Sequence, residues 1–120
     1  MRQNASDLSP TQGAALATID FHGPLTPSEL AKRERIQRPT ATRVVARLEE
    51  SGLVQRTADP QDRRSALLST TPAGDELLAS VRDRKDAYLA QRLDLLSPED
   101  LAVLERAAGI LERMLEEAPE

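Results

Sequence analysis

Cysteine and tryptophan are both absent from this 120-residue chain, and phenylalanine, tyrosine and histidine occur once each. Without cysteine there are no disulfides, no thiolate metal ligands and no thiol redox switch, a pattern that fits a reducing cytoplasm. With so few aromatics, the core of what reads as one small domain must come from Leu, Ala, Val and Ile. No apolar run approaches the about 20 residues that cross a bilayer. The start, Met1-Arg2-Gln3-Asn4, is polar and has no apolar signal region behind it.

Catalytic equipment is equally sparse. The lone His22 stands beside Gly23 at an expected helix end, where it caps or faces solvent. No glycine-rich phosphate loop, Ser/His/Asp arrangement or metal-ligand spacing is visible. Asp59 and Asp62 read as turn formers rather than cation ligands, since no further oxygen ligands follow at regular spacing. The expectation is a protein that is not an enzyme and has neither cofactor nor metal.

A net charge of −4 argues against a nucleic-acid partner until its distribution is considered. Between Lys32 and Arg64 lie nine basic residues and five acidic ones, whereas residues 65–120 hold six basic and twelve acidic. A basic middle between acidic ends is a local electrostatic footprint.

Punctuation along the chain divides it into short elements. Ser9-Pro10, with Gln12 three residues after the serine, opens a helix that turns Ala15, Leu16 and Ile19 inward and stops at Gly23-Pro24. Thr26-Pro27-Ser28-Glu29 is a capping box for a short second helix bearing Leu30 and Ala31, which turns near Arg35-Ile36. A third begins around Arg38-Pro39, repeats apolar residues at Ala41, Val44, Val45 and Leu48, and ends at Ser51-Gly52. Leu53–Thr57 and Ala66–Thr70 read as strands, joined by the polar tip Asp59-Pro60-Gln61-Asp62-Arg63-Arg64. Thr71-Pro72 caps a helix carrying Leu77, Leu78, Val81, Tyr88, Leu89 and Leu93. Ser97-Pro98-Glu99-Asp100 caps the last, which runs to Glu117. Its two apolar rows, Leu101/Leu104/Ala108/Leu111/Leu115 and Val103/Ala107/Ile110/Met114, are too wide for a helix covering one side of a small core. Tyr88 and Met114 are expected in that core.

Two short helices followed by a hairpin with a basic tip define a winged helix-turn-helix, a mainly α fold with a small β-hairpin (α+β). At 100° per residue, the third helix sets Pro39, Thr40, Arg43, Ala46 and Arg47 opposite its buried side. Short residues let a helix sink into the major groove, and arginine pairs with guanine O6 and N7 or holds phosphates. Arg38 and Thr40 stand at the N-terminal end, which reaches base edges. Arg63 and Arg64 suit the narrow minor groove beside it. Blander roles exist: Arg43 and Arg47 pairing with Glu49 or Glu50, and Arg63 and Arg64 as turn charges beside Asp62. The competing function is a winged-helix module that binds protein without DNA, whose exposed face should be apolar or acidic rather than arginine-bearing.

From about Leu8 to Leu115 the chain resembles the MarR-type regulators. The likeness rests on Leu25-Thr26-Pro27-Ser28-Glu29-Leu30-Ala31, on Pro39-Thr40-Ala41-Thr42-Arg43-Val44-Val45-Ala46-Arg47-Leu48-Glu49 and on Ser51-Gly52-Leu53-Val54. Its most specific stretch is Asp59-Pro60-Gln61-Asp62-Arg63-Arg64 leading into Ser69-Thr70-Thr71-Pro72-Ala73-Gly74, with Thr70 where leucine is usual. The resemblance implies a cytoplasmic repressor at the bacterial nucleoid, a homodimer on a pseudo-palindromic site that is released by a small-molecule effector. It implies that Asp62 orients Arg64 and that Arg64 enters the minor groove. DNA contacts are then expected from Arg38, Pro39, Thr40, Thr42, Arg43, Arg47, Asp62, Arg63 and Arg64. The expected organisation is a DNA-binding region over 9–74, with C-terminal dimerisation helices over 75–120 packed as one domain with it. Residues 1–8 are expected to be the short remnant of a dimerisation helix that is longer in the family.

Overall fold

Capping chemistry places the helices in the computed structural model, which describes residues 8–116. Most of the expected N-terminal remnant, and the expected helix end at Glu117, lie outside the described residues. The element order is α1 (Pro10–His22), α2 (Pro27–Glu34), α3 (Arg38–Glu50), β1 (Val54–Asp59), β2 (Asp62–Thr70), α4 (Pro72–Leu93) and α5 (Pro98–Glu116). The chain forms two compact units, one ending at Arg82 and the other beginning at Asp83.

In the first unit, Ser9 Oγ accepts the Gln12 N–H while Gln12 Oε1 accepts the Ser9 N–H, both at 3.1 Å, a closed capping box. The box expected at α2 is only half formed. Thr26 Oγ1 accepts the Glu29 N–H, but Glu29 takes its hydrogen bond from the Thr26 hydroxyl rather than from the Thr26 backbone. The hydroxyl, serving as acceptor and donor at once, has captured the carboxylate.

Two helix ends close in the same way. After α3, Leu53 N–H bonds to Leu48 O at 3.0 Å and Gly52 N–H to Glu49 O at 2.9 Å, around Gly52 at φ 74°. After α2, Ile36 N–H bonds to Ala31 O at 3.1 Å and Arg35 N–H to Lys32 O at 3.3 Å, around Arg35 at φ 55°. Both are Schellman closures, in which a left-handed residue lets the chain satisfy two terminal carbonyls and turn away.

The wing is longer than expected. β1 and β2 pair antiparallel from Val54↔Thr70 to Asp59↔Asp62, leaving only Pro60 and Gln61 between them. Asp59 Oδ1 accepts the Gln61 N–H at 2.9 Å and Asp62 Oδ1 accepts the Arg64 N–H at 3.0 Å. These two Asx turns fold the tip tightly, and Arg63 and Arg64 belong to β2 rather than to a loop, although the register shifts between Ala58 and Asp59. Leu25 forms an unforeseen bridge to β2, its N–H and C=O both bonded to Leu68.

Leu16, Ile19, Leu25, Leu30, Val45, Leu48, Leu53 and Leu68 are fully buried, joined by Leu77 from the start of α4. Thr71 fixes that start: its Oγ1 accepts the Gly74 N–H at 3.1 Å and its hydroxyl donates to Gly52 O at 2.5 Å.

The second unit holds the rest of α4 and all of α5, where Ser97 Oγ caps the Asp100 N–H at 3.1 Å. None of the α5 residues is buried. Tyr88 and Met114, expected in the core, are 58% and 61% exposed. Two helices alone have no third layer to cover such side chains, so the core ends with the first unit. Tyr88 instead lies under the Arg92 guanidinium, 4.9 Å from ring centroid to Cζ.

Candidate nucleic-acid interface

α3 divides its residues by side. Ala41, Val44, Val45 and Leu48 are buried against the core, in agreement with the apolar repeat. Arg38, Pro39, Thr42, Arg43, Ala46 and Arg47 are exposed, and Thr40 is half-buried. Because burial on one side fixes the helix about its axis, the outer row is presented as a unit to whatever lies beyond.

Hydrogen bonds within that row are few. Arg43 Nη2 reaches Thr40 Oγ1 at 3.4 Å, and the Thr42 hydroxyl donates to Arg38 O at 3.0 Å, one turn back. Neither Arg43 nor Arg47 pairs with Glu49 or Glu50. The one ion pair among the described residues joins Glu49 to Arg56 of β1. That pair was not foreseen, because it depends on the register that brings β1 beside the end of α3. The outer arginines thus keep their donors available, and an unneutralised guanidinium is what a phosphate or a guanine edge needs. Gln37 precedes α3 without a side-chain cap, so the first turn also keeps unpaired N–H groups.

On the wing, the regular pairing ends at Ala58↔Ala66 and the register shifts before Asp59↔Asp62. Arg56 faces Leu68 across the ladder, whereas Arg63 and Arg64 lie beyond the register shift, in the stretch of β2 between Ala66 and Asp62. Both are exposed and free of ion pairs among the described residues. Asp62 holds the backbone N–H of Arg64 rather than its guanidinium, so it orders the turn from which Arg64 projects. Arg35, in the turn before α3, lay outside the expected set; its only sequence sign is a basic residue at a helix end.

Among the described residues there is no cluster of metal-ligating side chains and no helix long and apolar enough to cross a membrane. The arrangement is a winged helix-turn-helix with an arginine-bearing recognition helix. A MarR family model matches residues 8–66. The chain is 36% identical over 118 residues to an uncharacterized HTH-type transcriptional regulator of Mycobacterium bovis, covering 98% of this chain and 82% of that protein. It superposes on a transcriptional regulator from Thermotoga maritima with a TM-score of 0.80, at 32% identity, over 94% of this chain and 82% of the other. Streptococcus pneumoniae FabT, solved in complex with DNA, gives a TM-score of 0.71 at 25% identity, over 96% and 80%. The chain belongs to the MarR family.

Proposed function

We propose that this protein is a sequence-specific double-stranded DNA-binding regulator that represses transcription as a homodimer in the cytoplasm. The observation that carries the reading is the division of α3: four apolar residues buried, with Arg43 and Arg47 outward and unpaired among the described residues. In this reading Arg38, Thr40, Arg43 and Arg47 meet the major groove, with Pro39 and Thr42 beside them. Arg64, presented by the Asp62 turn, enters the minor groove, and Arg63 meets the backbone. The likeness to a regulator solved on DNA supports it. The protein-binding alternative calls for an apolar or acidic outer face, which α3 does not carry.

Catalysis has no part in this reading, and a small-molecule effector would act by releasing the DNA. Selection from a genomic DNA library, with affinities compared at two salt concentrations, tests it. Specific fragments should be enriched, and affinity should fall steeply with salt as counterions are displaced. A flat salt response, or no binding at about 50 mM salt, would end the proposal.

A further inference from the structure

We infer that Arg35 makes a DNA-backbone contact that holds the recognition helix in place, a role outside the set assigned above and resting on the reading of α3 as that helix. The chain carries its own comparison. The Schellman closure that ends α3 uses Gly52, where a Cβ would meet nothing within 4 Å. The left-handed backbone, rather than crowding, is therefore what favours glycine there. The same closure after α2 uses Arg35, at φ 55° and ψ 45°, the one non-glycine residue with positive φ among the described residues. An L side chain in that conformation sets Cβ against the following carbonyl.

Folding draws nothing visible from the side chain. Arg35 is exposed and enters no ion pair among the described residues. Its neighbour Glu34 is committed to the Thr18 hydroxyl at 2.6 Å. Strain kept without a packing return points to function.

Location says which function. Arg35 lies three residues before Arg38, where α3 begins. In a helix-turn-helix the N-terminus of the second helix reaches base edges while the first helix crosses the sugar–phosphate backbone. The turn between them therefore approaches the phosphates that flank the groove. A guanidinium there can hold a phosphate through two parallel hydrogen bonds, fixing register without reading sequence.

The test measures binding of a selected duplex and a scrambled duplex across a salt series, beside thermal melting, for the parent, Arg35→Gln and Arg35→Gly. Arg35→Gln keeps the strained backbone and removes the charge. It should melt with the parent, yet bind both duplexes more weakly by a common factor, on the order of tenfold per subunit at about 0.1 M salt. The slope of log affinity against log salt should shrink by about one per subunit. Arg35→Gly should show the same binding loss and melt a few degrees higher, on the order of 3 °C. Variants that bind with the parent's affinity and slope would overturn the contact, and an Arg35→Gly that melts lower would overturn the strain argument. A parent that binds neither duplex would overturn the reading of α3 instead.

Discussion

The guanidinium of Arg56 holds the Glu49 carboxylate in a fork, Nε to Oε2 at 3.0 Å and Nη2 to Oε1 at 2.6 Å. Glu49 stands in the last turn of α3 and Arg56 in β1, so the pair ties the end of the recognition helix to the root of the wing. The two elements proposed to meet DNA are thereby joined by a planar clamp, a geometry that lysine would not reproduce.

The clamp should add little to stability. Its side chains are 45% and 29% exposed, so solvent screens it, and a double-mutant cycle with Glu49→Gln and Arg56→Gln should give a coupling of roughly 0.2–1 kcal/mol. The hydrogen bonds that Arg56 donates to Glu49 raise its pKa above the ordinary value. A raised folded pKa contributes stability below the unfolded value and loses it only on passing the higher one. Arginine's contribution should therefore stay flat from about pH 6 to pH 9. A coupling that changes within that range, measured by denaturant unfolding, would contradict this account.

Two glycines should respond oppositely to the same change. A Cβ on Gly74 would press into the backbone carbonyl of Leu53, which cannot swing aside. Gly74→Ala should cost roughly 1–3 kcal/mol as α4 is pushed off the core. Gly13, inside α1, has nothing within 4 Å of its missing Cβ, so Gly13→Ala should stabilise by about 0.5–1 kcal/mol. Urea titration of both variants beside the parent provides the check.

These cases show what the sequence discloses and what it withholds. The buried row of α3 was legible because four apolar residues at helical spacing leave one choice of inner side. The Ser9 and Thr71 starts were legible because a cap is a local event. Glycine at position 74 was visible in the motif, but the Leu53 carbonyl that requires it comes from 21 residues earlier in the chain. Arg47 and Glu50 stand at helical spacing, but the ion pair formed instead between Glu49 and the strand residue Arg56, where a fork makes two hydrogen bonds at once. Strand lengths were underestimated because Asp59 and Asp62 read as loop chemistry, although they tighten the turn. Arg35 broke a local rule, since residues at left-handed closures are expected to be glycine.

Reading and holding should separate on the DNA itself. Arg43 projects from the middle of the outer face of α3, and a paired contact to one base would make Arg43→Ala cost about 1–3 kcal/mol and relax preference at one position. Arg64→Ala should weaken sites with A·T-rich flanks more than G·C-rich ones, because a narrow minor groove concentrates negative potential. Selection on randomised duplexes with each variant gives both profiles. Equal losses on every sequence would assign both residues to the backbone alone.

The apolar rows of α5 should join two copies of the chain. Leu104, Leu111 and Leu115 form one row, Val103, Ile110 and Met114 the other, and all six are exposed in the single chain. Keeping such side chains in water forfeits roughly 1.5–3 kcal/mol for each large one that could be buried. A two-fold pairing buries the same row on both copies, so one sequence supplies both halves of the interface. It would also present two recognition helices to successive major grooves, about 34 Å apart. Sedimentation over a range of concentrations should therefore find the parent dimeric. Leu111→Glu should move it toward monomer, with the first unit still folded because its core contains no α5 residue. The monomeric variant should also lose most of its specific DNA affinity, since half a site offers half the contacts. A parent that stays monomeric at high micromolar concentration yet binds DNA specifically would refute the dimer.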